Sequence, residues 1–317
     1  MSEVNTVTIA CPVQSFHAYT YFINASEPTL IDTAVASSPE GTIRPALAKA
    51  NLALSSVRWI LLTHGHPDHA GGVVGVKEAT GGIAKVAVHE GDAELVRSRY
   101  THVHEHEFLA DTYIGGDARV KFMAMAERAV AGDIEPDLVL SGGEVLDLGD
   151  TSLKVVPIPG HARGSVAYWQ ESTGRAFVGD SVQLGGGVMN HFPSLEDPTA
   201  YRNSLKLLLS MELETISLAH NFVAPDGRVV GGDIIGAQEV RKVLHEALEI
   251  EARIADAMAA HIRPGELIVD PAEGQFAPFT EVATELGYTK DPANPPSPFF
   301  ITLNGYAREM GASPRRL

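Results

Sequence analysis

The chain is poor in basic residues relative to acids. Its 317 residues include 24 lysines and arginines against 40 aspartates and glutamates, a formal net charge of −16. A surface of that sign repels phosphate backbones and anionic lipid, so we expect neither nucleic acid nor a membrane as partner. The net charge says little about a small substrate, because a bound metal ion can invert the local field.

The chain also lacks disulfide partners and long apolar runs. The single cysteine, Cys11, excludes an internal disulfide and suits a reducing compartment. No apolar run approaches the ~20 residues that span a bilayer, and residues 1–5 lack the basic and apolar segments of a leader. We therefore expect a cytoplasmic protein that acts on a small molecule.

Strand-like and helix-like segments alternate over the first part of the chain. This order predicts an α/β domain at residues 1–235, interrupted by a polar insertion at about 100–135 that carries a helix near 119–130. The predicted strands include 57–63, 85–89, 152–158, 165–170, 175–178 and 214–218, and the predicted helices include 40–51, 69–80, 90–99 and 198–210.

Residues 236–317 differ in character and predict a C-terminal extension packed on the same domain. Apolar residues recur at helical spacing over 236–262, with Glu249 and Arg253 spaced as an i,i+4 ion pair. The proline-rich stretch 291–298 predicts an extended arm. The helix has three open roles: a wall of the substrate pocket, a homodimer interface, or simple packing on the domain.

One short segment concentrates metal-binding chemistry. The sequence Thr-His-Gly-His-Pro-Asp-His at 63–69 follows a predicted strand and places His64, His66, Asp68 and His69 within six positions. In an extended loop two imidazoles at i and i+2 can face the same side, and imidazole and carboxylate are common zinc ligands. Asp68 and His69 turn into the next helix and can face a second ion.

Three further candidates, His161, Asp180 and His220, each lie just past the end of a predicted strand. Residues at strand ends meet at the rim of a sheet, where binding sites form. His161 and His220 can complete two separate three-ligand sets, and the two oxygens of Asp180 can bridge both ions. We expect two Zn²⁺ ions, although these ligands also accept iron and manganese.

The motifs resemble those of the metallo-β-lactamase superfamily of metallohydrolases. The resemblance rests on the 63–69 segment, on Pro-Gly-His-Ala-Arg-Gly-Ser at 159–165, on Phe-Val-Gly-Asp at 177–180 and on His220, and it covers roughly residues 5–235. It implies a four-layered αβ/βα sandwich as the catalytic domain. It also implies one metal on His64, His66 and His161, a second on Asp68, His69 and His220, and Asp180 between them.

Within that superfamily Asp180 is similar to the bridging carboxylate of the glyoxalase II and lactonase branches, which true β-lactamases usually lack. The gap between His69 and His161 is longer than in glyoxalase II, and no basic glutathione-binding residues are recognisable near the C-terminus. The resemblance therefore indicates a class of substrate but does not identify the substrate itself.

These observations predict a binuclear zinc hydrolase in which a metal-bridging hydroxide attacks a small ester, thioester or lactone. Asp68 would orient the hydroxide and carry its proton to the leaving group. Two alternatives remain: an iron-dependent sulfur dioxygenase, and metal-dependent hydrolysis of phosphoester, sulfate ester or carbon–halogen bonds.

For three other candidate residues the sequence pattern is less specific. His191, in a glycine-rich loop, either contacts the substrate or is an ordinary loop histidine. Asp32 and Thr63 either hold the ligand imidazoles through hydrogen bonds or, for Asp32, cap a turn.

Overall fold

The computed structural model of the protein describes residues 5–14, 16–104, 113, 116–185, 192–224, 226–269, 274–292 and 297–315. The chain forms two six-stranded sheets. The first has the order β1 (Asn5–Val13), β2 (Phe16–Asn24), β3 (Thr29–Ile31), β4 (Trp59–Leu61), β5 (Lys85–His89) and β6 (Leu138–Leu140).

The second sheet follows in sequence. Its strands are β7 (Val145–Asp147), β8 (Ser152–Pro157), β9 (Val166–Gln170), β10 (Arg175–Gly179) and β11 (Thr215–Leu218), and after a small ribbon of β12 (Phe222–Val223) and β13 (Val229–Val230) it ends at β14 (Asp233–Ile235). A final parallel pair is β15 (Leu267–Val269) with β16 (Ser313–Arg315).

Helices connect and cover the sheets. They are α1 (Arg44–Lys49), α2 (Pro67–Ala70), α3 (Val73–Ala79), α4 (Ala93–Arg97), α5 (Arg99–His104), α6 (Gly116–Ala129), α7 (Pro198–Ser210), α8 (Ala237–His261), α9 (Thr280–Leu286) and α10 (Pro298–Glu309). Within the described ranges no helix has both the length and the apolar content that crossing a bilayer would require.

The alternation of side chains along each strand creates the layers. Phe177 of β10 packs in a central cluster with residues of both sheets, whereas its neighbours Ala176 and Val178 face the helices that cover the second sheet. In β5, Ala87 faces the central cluster, and Val86 and Val88 face the helices on the other side. This period of two gives each sheet two apolar faces and confirms the αβ/βα sandwich.

Two groups of parallel strands set the position of the ligand-bearing loops. The strands β3, β4, β5 and β6 run parallel, and so do β10 and β11. The residues that follow β3, β4, β10 and β11 include Asp32, Thr63, Asp180 and Ala219. Because the carboxyl ends of parallel strands meet at one edge, each sheet contributes two chain segments to a shared rim.

The predicted helix at 69–80 is wrong in one respect, because it is broken into α2 and α3. The amide N–H of Gly72 bonds outside the helix, to the Ala34 carbonyl at 3.0 Å and the Thr33 hydroxyl at 3.1 Å. A Cβ at Gly71 would lie 2.1 Å from the Ala129 carbonyl oxygen. The close approach of α6 to this glycine ends the first helix after one turn.

The extended arm predicted at 291–298 is wrong at its C-terminal end. Residues 293–296 lie outside the described ranges, but Pro298 is the first residue of α10. The Ser297 hydroxyl accepts the Phe300 amide N–H at 3.3 Å, so the serine caps a helix whose first position is the favoured one for proline. Phe299 and Phe300 are buried in the cluster that α7 and α8 share.

A buried carboxylate joins the three helices that cover the second sheet. Glu251 of α8 is 1% exposed and accepts hydrogen bonds from Arg202 Nε of α7 at 2.8 Å and from the Tyr306 hydroxyl of α10 at 2.5 Å. Burial, together with the hydrogen bond to this carboxylate, raises the pKa of Tyr306 well above its usual value. The carboxylate depends on these two donors for compensation of its charge.

We predict that Arg202→Met lowers the free energy of unfolding by about 3 kcal/mol, because it leaves the Glu251 carboxylate buried without a cation. Urea unfolding measures the change. The control is Lys206→Met on the same helix, where the exposed lysine makes no ion pair among the described residues, and a change of at most ~0.5 kcal/mol is expected. Equal losses in the two variants would contradict the role of Arg202.

Candidate metal centre

The candidate residues lie where the two sheets meet at one rim. The loop after β4 carries His64 to His69, and the loop between β8 and β9 carries His161. Backbone hydrogen bonds link the two sheets here: Val166 N–H donates to the Thr63 carbonyl at 2.9 Å, and Tyr19 N–H donates to the Ala219 carbonyl at 2.7 Å. The rim is therefore fixed by the sandwich itself.

The structure brings together all seven residues that the sequence singled out. They form three overlapping groups in which one ligand atom from each residue lies within 4.8 Å of the others: His64 with His66 and His161, His64 with His69 and Asp180, and Asp68 with His69 and His220. All are buried except His66 and Asp68, which are partly exposed.

Hydrogen bonds behind three of the imidazoles fix which nitrogen faces the centre. In each, Nδ1 lies against an oxygen that can only accept, so Nδ1 carries a hydrogen and Nε2 is the nitrogen that faces the centre. These contacts are His69 with Asp32 Oδ2 at 2.9 Å, His161 with the Ser194 carbonyl at 2.7 Å, and His220 with the His17 carbonyl at 2.8 Å.

His64 follows the same rule through a hydroxyl. Thr63 Oγ1 donates its hydrogen to Asp32 Oδ2 at 2.7 Å, so its lone pair accepts from His64 Nδ1 at 3.2 Å. His66 is the exception, because its Nδ1 faces the centre, 3.1 Å from His64 Nε2 and 2.9 Å from His161 Nε2. Three imidazole nitrogens thus converge on one point.

Asp180 lies between the two groups of ligand atoms. Its Oδ1 is 3.3 Å from His220 Nε2 and 3.4 Å from His69 Nε2, while its Oδ2 is 3.5 Å from His161 Nε2. Asp68 Oδ2 lies 3.3 Å from His220 Nε2 on the second side. One carboxylate therefore faces both groups and the other faces one.

Several of these atoms lack hydrogen-bond partners within the described part of the chain. His69 Nε2, His220 Nε2 and Asp180 Oδ1 are all buried without one. Unpartnered buried polar atoms are rare and unfavourable. Here these atoms converge, so a cation that displaces the imidazole protons at their common point satisfies them, and imidazole with carboxylate is a donor set that divalent transition metals accept. The residues present fit a metal ion.

The electrostatics of the two groups differ. Burial, reinforced by neighbouring histidines, holds the pKa of His64 well below its usual value, and burial lowers the pKa of His161 to about 4. Burial opposes a charge on His69 as well, but the carboxylates of Asp180, Asp68 and Asp32 outweigh it and raise its pKa to about 9. His66 differs from His64 and His161, because burial opposes its charge but Glu196 outweighs that effect and raises its pKa. His64 and His161 thus stay neutral and ready to bind, and the second group is surrounded by negative charge.

Burial alone would raise the pKa of Asp68 and Asp180. The neighbouring His69 and His220 reverse that effect, and the pKa of both carboxyls falls well below the usual range. Both side chains are therefore carboxylates at neutral pH. A buried pair of like charges is stable only beside cations.

Asp32 holds a ligand imidazole through a hydrogen bond, which is one of the two roles predicted for it. Its carboxylate accepts from Thr63 N–H at 2.8 Å, from the Thr63 hydroxyl and from His69 Nδ1. The residue has a φ of +56°, a left-handed conformation that is uncommon outside glycine. Three hydrogen bonds to one carboxylate stabilise this strained backbone at the site.

Asp92 was missed by the sequence analysis. Its side chain is buried, and Oδ2 accepts the Gly65 amide N–H at 2.8 Å while Oδ1 accepts the Gly164 amide N–H at 2.7 Å. One carboxylate thereby joins the loop of His64 and His66 to the loop of His161. In the sequence Asp92 looks like an ordinary acid in the first turn of a helix, so no local signal reveals this contact.

His191 lies outside the described residues, so its predicted contact with a substrate stays a prediction.

We predict that Asp92→Asn destabilises the protein by about 1–3 kcal/mol, because an amide NH₂ must face one of two backbone N–H donors. It should also weaken metal binding, since the two ligand loops lose their link. Thermal unfolding and metal titration by calorimetry measure the two effects. Asp150→Asn is the control, because that carboxylate accepts one exposed amide, from Ser26; a similar loss there would contradict the linking role of Asp92.

Comparisons with known proteins agree with this architecture. A sequence profile described as the metallo-beta-lactamase superfamily matches residues 15–220. The hydroxyacylglutathione hydrolase of Erythrobacter litoralis is 29% identical over 204 residues, which are 64% of this chain and 63% of that protein. The acyl-coenzyme A thioesterase MBLAC2 of Bos taurus is 31% identical over 51% of this chain and 56% of its own length.

The chain thus spans less than two thirds of either relative. Among solved structures, a metallo-beta-lactamase family protein of Thermus thermophilus has a TM-score of 0.65 and 24% identity, over 98% of this chain and 95% of that one. This likeness extends the shared fold over nearly the whole chain. The profile match covers both ligand loops, Asp180 and His220, and the chain therefore belongs to the metallo-beta-lactamase superfamily.

Proposed function

We propose that the protein is a metal-dependent hydrolase with two divalent ions, of which zinc is our first choice. His64, His66 and His161 would hold one ion, Asp68, His69 and His220 the other, and Asp180 would contact both. The observation that carries the proposal is the set of buried, unpartnered donor atoms His69 Nε2, His220 Nε2 and Asp180 Oδ1 that face a common point.

For the reaction we propose hydrolysis of an ester, thioester or lactone, with a thioester first. The names of two relatives support this choice, one being a hydroxyacylglutathione hydrolase and the other an acyl-coenzyme A thioesterase. The position of Asp180 supports the two-ion part of the proposal, because a carboxylate that faces both ligand groups favours two ions held close together.

When bound, the ions would supply a Lewis acid for the carbonyl oxygen and lower the pKa of water to about 7. The chain's own residues contribute orientation and proton transfer. The hydrogen bonds from Nδ1 of His69, His161 and His220 hold each ring in one tautomer and one orientation. Loss of these contacts would leave the rings free to rotate away from the centre.

Asp68 is the proposed proton carrier. Its side chain is 22% exposed against 10% for Asp180, so it is the carboxylate nearer the opening of the site. Its low pKa keeps it deprotonated at neutral pH, so it is able to accept a proton. Asp68 would take a proton from the attacking water and pass it to the leaving alkoxide or thiolate.

We predict that the purified protein contains close to two metal ions per chain and that chelation abolishes ester or thioester hydrolysis. Elemental analysis before and after dialysis against a chelator, with activity assays, makes the test. Activity should return on addition of zinc. A fully active metal-free protein would contradict the proposal, and iron with oxygen uptake in place of hydrolysis would favour the sulfur dioxygenase alternative.

We predict that Asp68→Asn remains folded and lowers kcat by roughly 10²-fold or more, because loss of a positioned general base removes that much rate. Circular dichroism and metal analysis establish that the variant is folded and how much metal it holds. If kcat at full metal loading stays within about twofold of the wild type, Asp68 has no part in proton transfer.

A further inference from the structure

A cavity of about 350 Å³ has one wall formed by α8 and the segment after α9. Such a volume is within the range of small-molecule sites. The residues of this wall lie beyond residue 220, where the match to the superfamily profile ends. The cavity is thus built in part by residues outside that match.

Three segments of the cavity lining continue directly from residues at the metal centre. Gly185 lies two positions after Gln183, whose side-chain amide donates to the Asp180 carbonyl at 2.9 Å. Pro193 precedes Ser194, whose carbonyl accepts from His161. Val223 follows His220 by three residues. The cavity therefore lies close to the loops that carry His161, Asp180 and His220.

Most of the lining is apolar. The side chains of Phe192, Val223, Ile250, Ile254 and Leu286 form the walls, and Ile250 and Ile254 lie one turn apart on α8. Tyr288 is 9% exposed, and its buried hydroxyl has no partner within the described ranges. An apolar ligand with an acceptor atom along its length would satisfy both features.

Two exposed cations, Arg253 and Lys290, also line the cavity. The i,i+4 pair of Arg253 with Glu249 expected from the sequence does not form, and neither cation pairs with a carboxylate in the described part of the chain. They place two positive charges beside the apolar walls, although Asp291 is close enough to contribute to the raised pKa of Tyr288.

We propose that this cavity binds the part of the substrate remote from the scissile bond, and that this part is an apolar segment with an anionic group held by Arg253 and Lys290. The inference rests on the proposed hydrolase function. The anion belongs either to the acyl chain or to the leaving group, and both chemistries fit the same two cations. A neutral substrate of the same length would form no ion pair with these two cations.

Matched substrates test the proposal on the metal-loaded protein. On the acyl side, para-nitrophenyl hexanoate is compared with the para-nitrophenyl monoester of adipic acid; on the leaving-group side, phenyl hexanoate is compared with para-sulfophenyl hexanoate. We expect a higher kcat/KM for the anionic member of one pair. The double variant Arg253→Glu with Lys290→Glu should lower that value by roughly tenfold or more, mainly through KM, and leave the neutral substrate within about twofold.

Lys206→Glu is the matched control, because it changes the net charge in the same direction on an exposed helix face away from the lining residues. It should alter neither member of either pair. If the anionic preference is absent, or if the control variant loses it equally, the proposal is overturned.

Binding distinguishes failure of this inference from failure of the proposed function. Octanesulfonate, which is a poor metal ligand, should bind the wild type more tightly than octanamide, and the double variant should lose roughly tenfold in affinity by calorimetry. A protein that binds octanesulfonate this way but hydrolyses no ester would refute the function and keep the site. Hydrolysis of neutral esters with equal binding of both amphiphiles would refute the site and keep the function.

Discussion

The concentration of charged groups at a buried rim is the constraint on which the rest of the structure depends. Asp68 and Asp180 are held as carboxylates beside imidazoles whose ring nitrogens face inward. Water cannot easily satisfy so many convergent acceptors in a buried space, whereas a multiply charged cation can. The surrounding contacts serve to keep these groups aimed at each other despite that unfavourable arrangement.

The sandwich supplies that rigidity through strand ends. Asp32 follows β3, the histidine loop follows β4, and Asp180 and His220 follow β10 and β11, so each group begins at a point fixed by sheet hydrogen bonds. Carboxylates then tie the loops to one another: Asp32 joins Thr63 to His69, and Asp92 joins Gly65 to Gly164. The positions of the side chains at the centre therefore depend on backbone geometry more than on local packing.

Much of this could be predicted from the sequence, because the signals are local. The strand β5 and the helix α7 have the predicted boundaries, since uninterrupted apolar patterns and flanking turn residues define them. The proximity of the seven polar residues follows from their motif and from positions just past strand ends. The family resemblance supplied the layer order, which patterning alone does not determine.

The remainder depends on contacts between distant parts of the chain. The break between α2 and α3 is set by Ala34, Thr33 and α6, and the role of Asp92 is set by a loop 72 residues away. The proline-rich stretch looked extended because its composition hides the Ser297 cap that begins α10. Arg253 lines the cavity instead of pairing with Glu249, and the i,i+4 spacing does not reveal this.

The proposed metal ligands and the residues that line the cavity belong to different kinds of structural element. The proposed ligands lie on loops at strand ends, whereas Arg253 and Ile254 project from a long surface helix outside the residues that match the superfamily profile. Exposed residues of that helix, such as Arg253, can change the charge of the cavity without altering the strands that precede the proposed ligands. On the proposed function, this separation would let substrate preference change on one helix while the reaction chemistry at the strand ends stays the same.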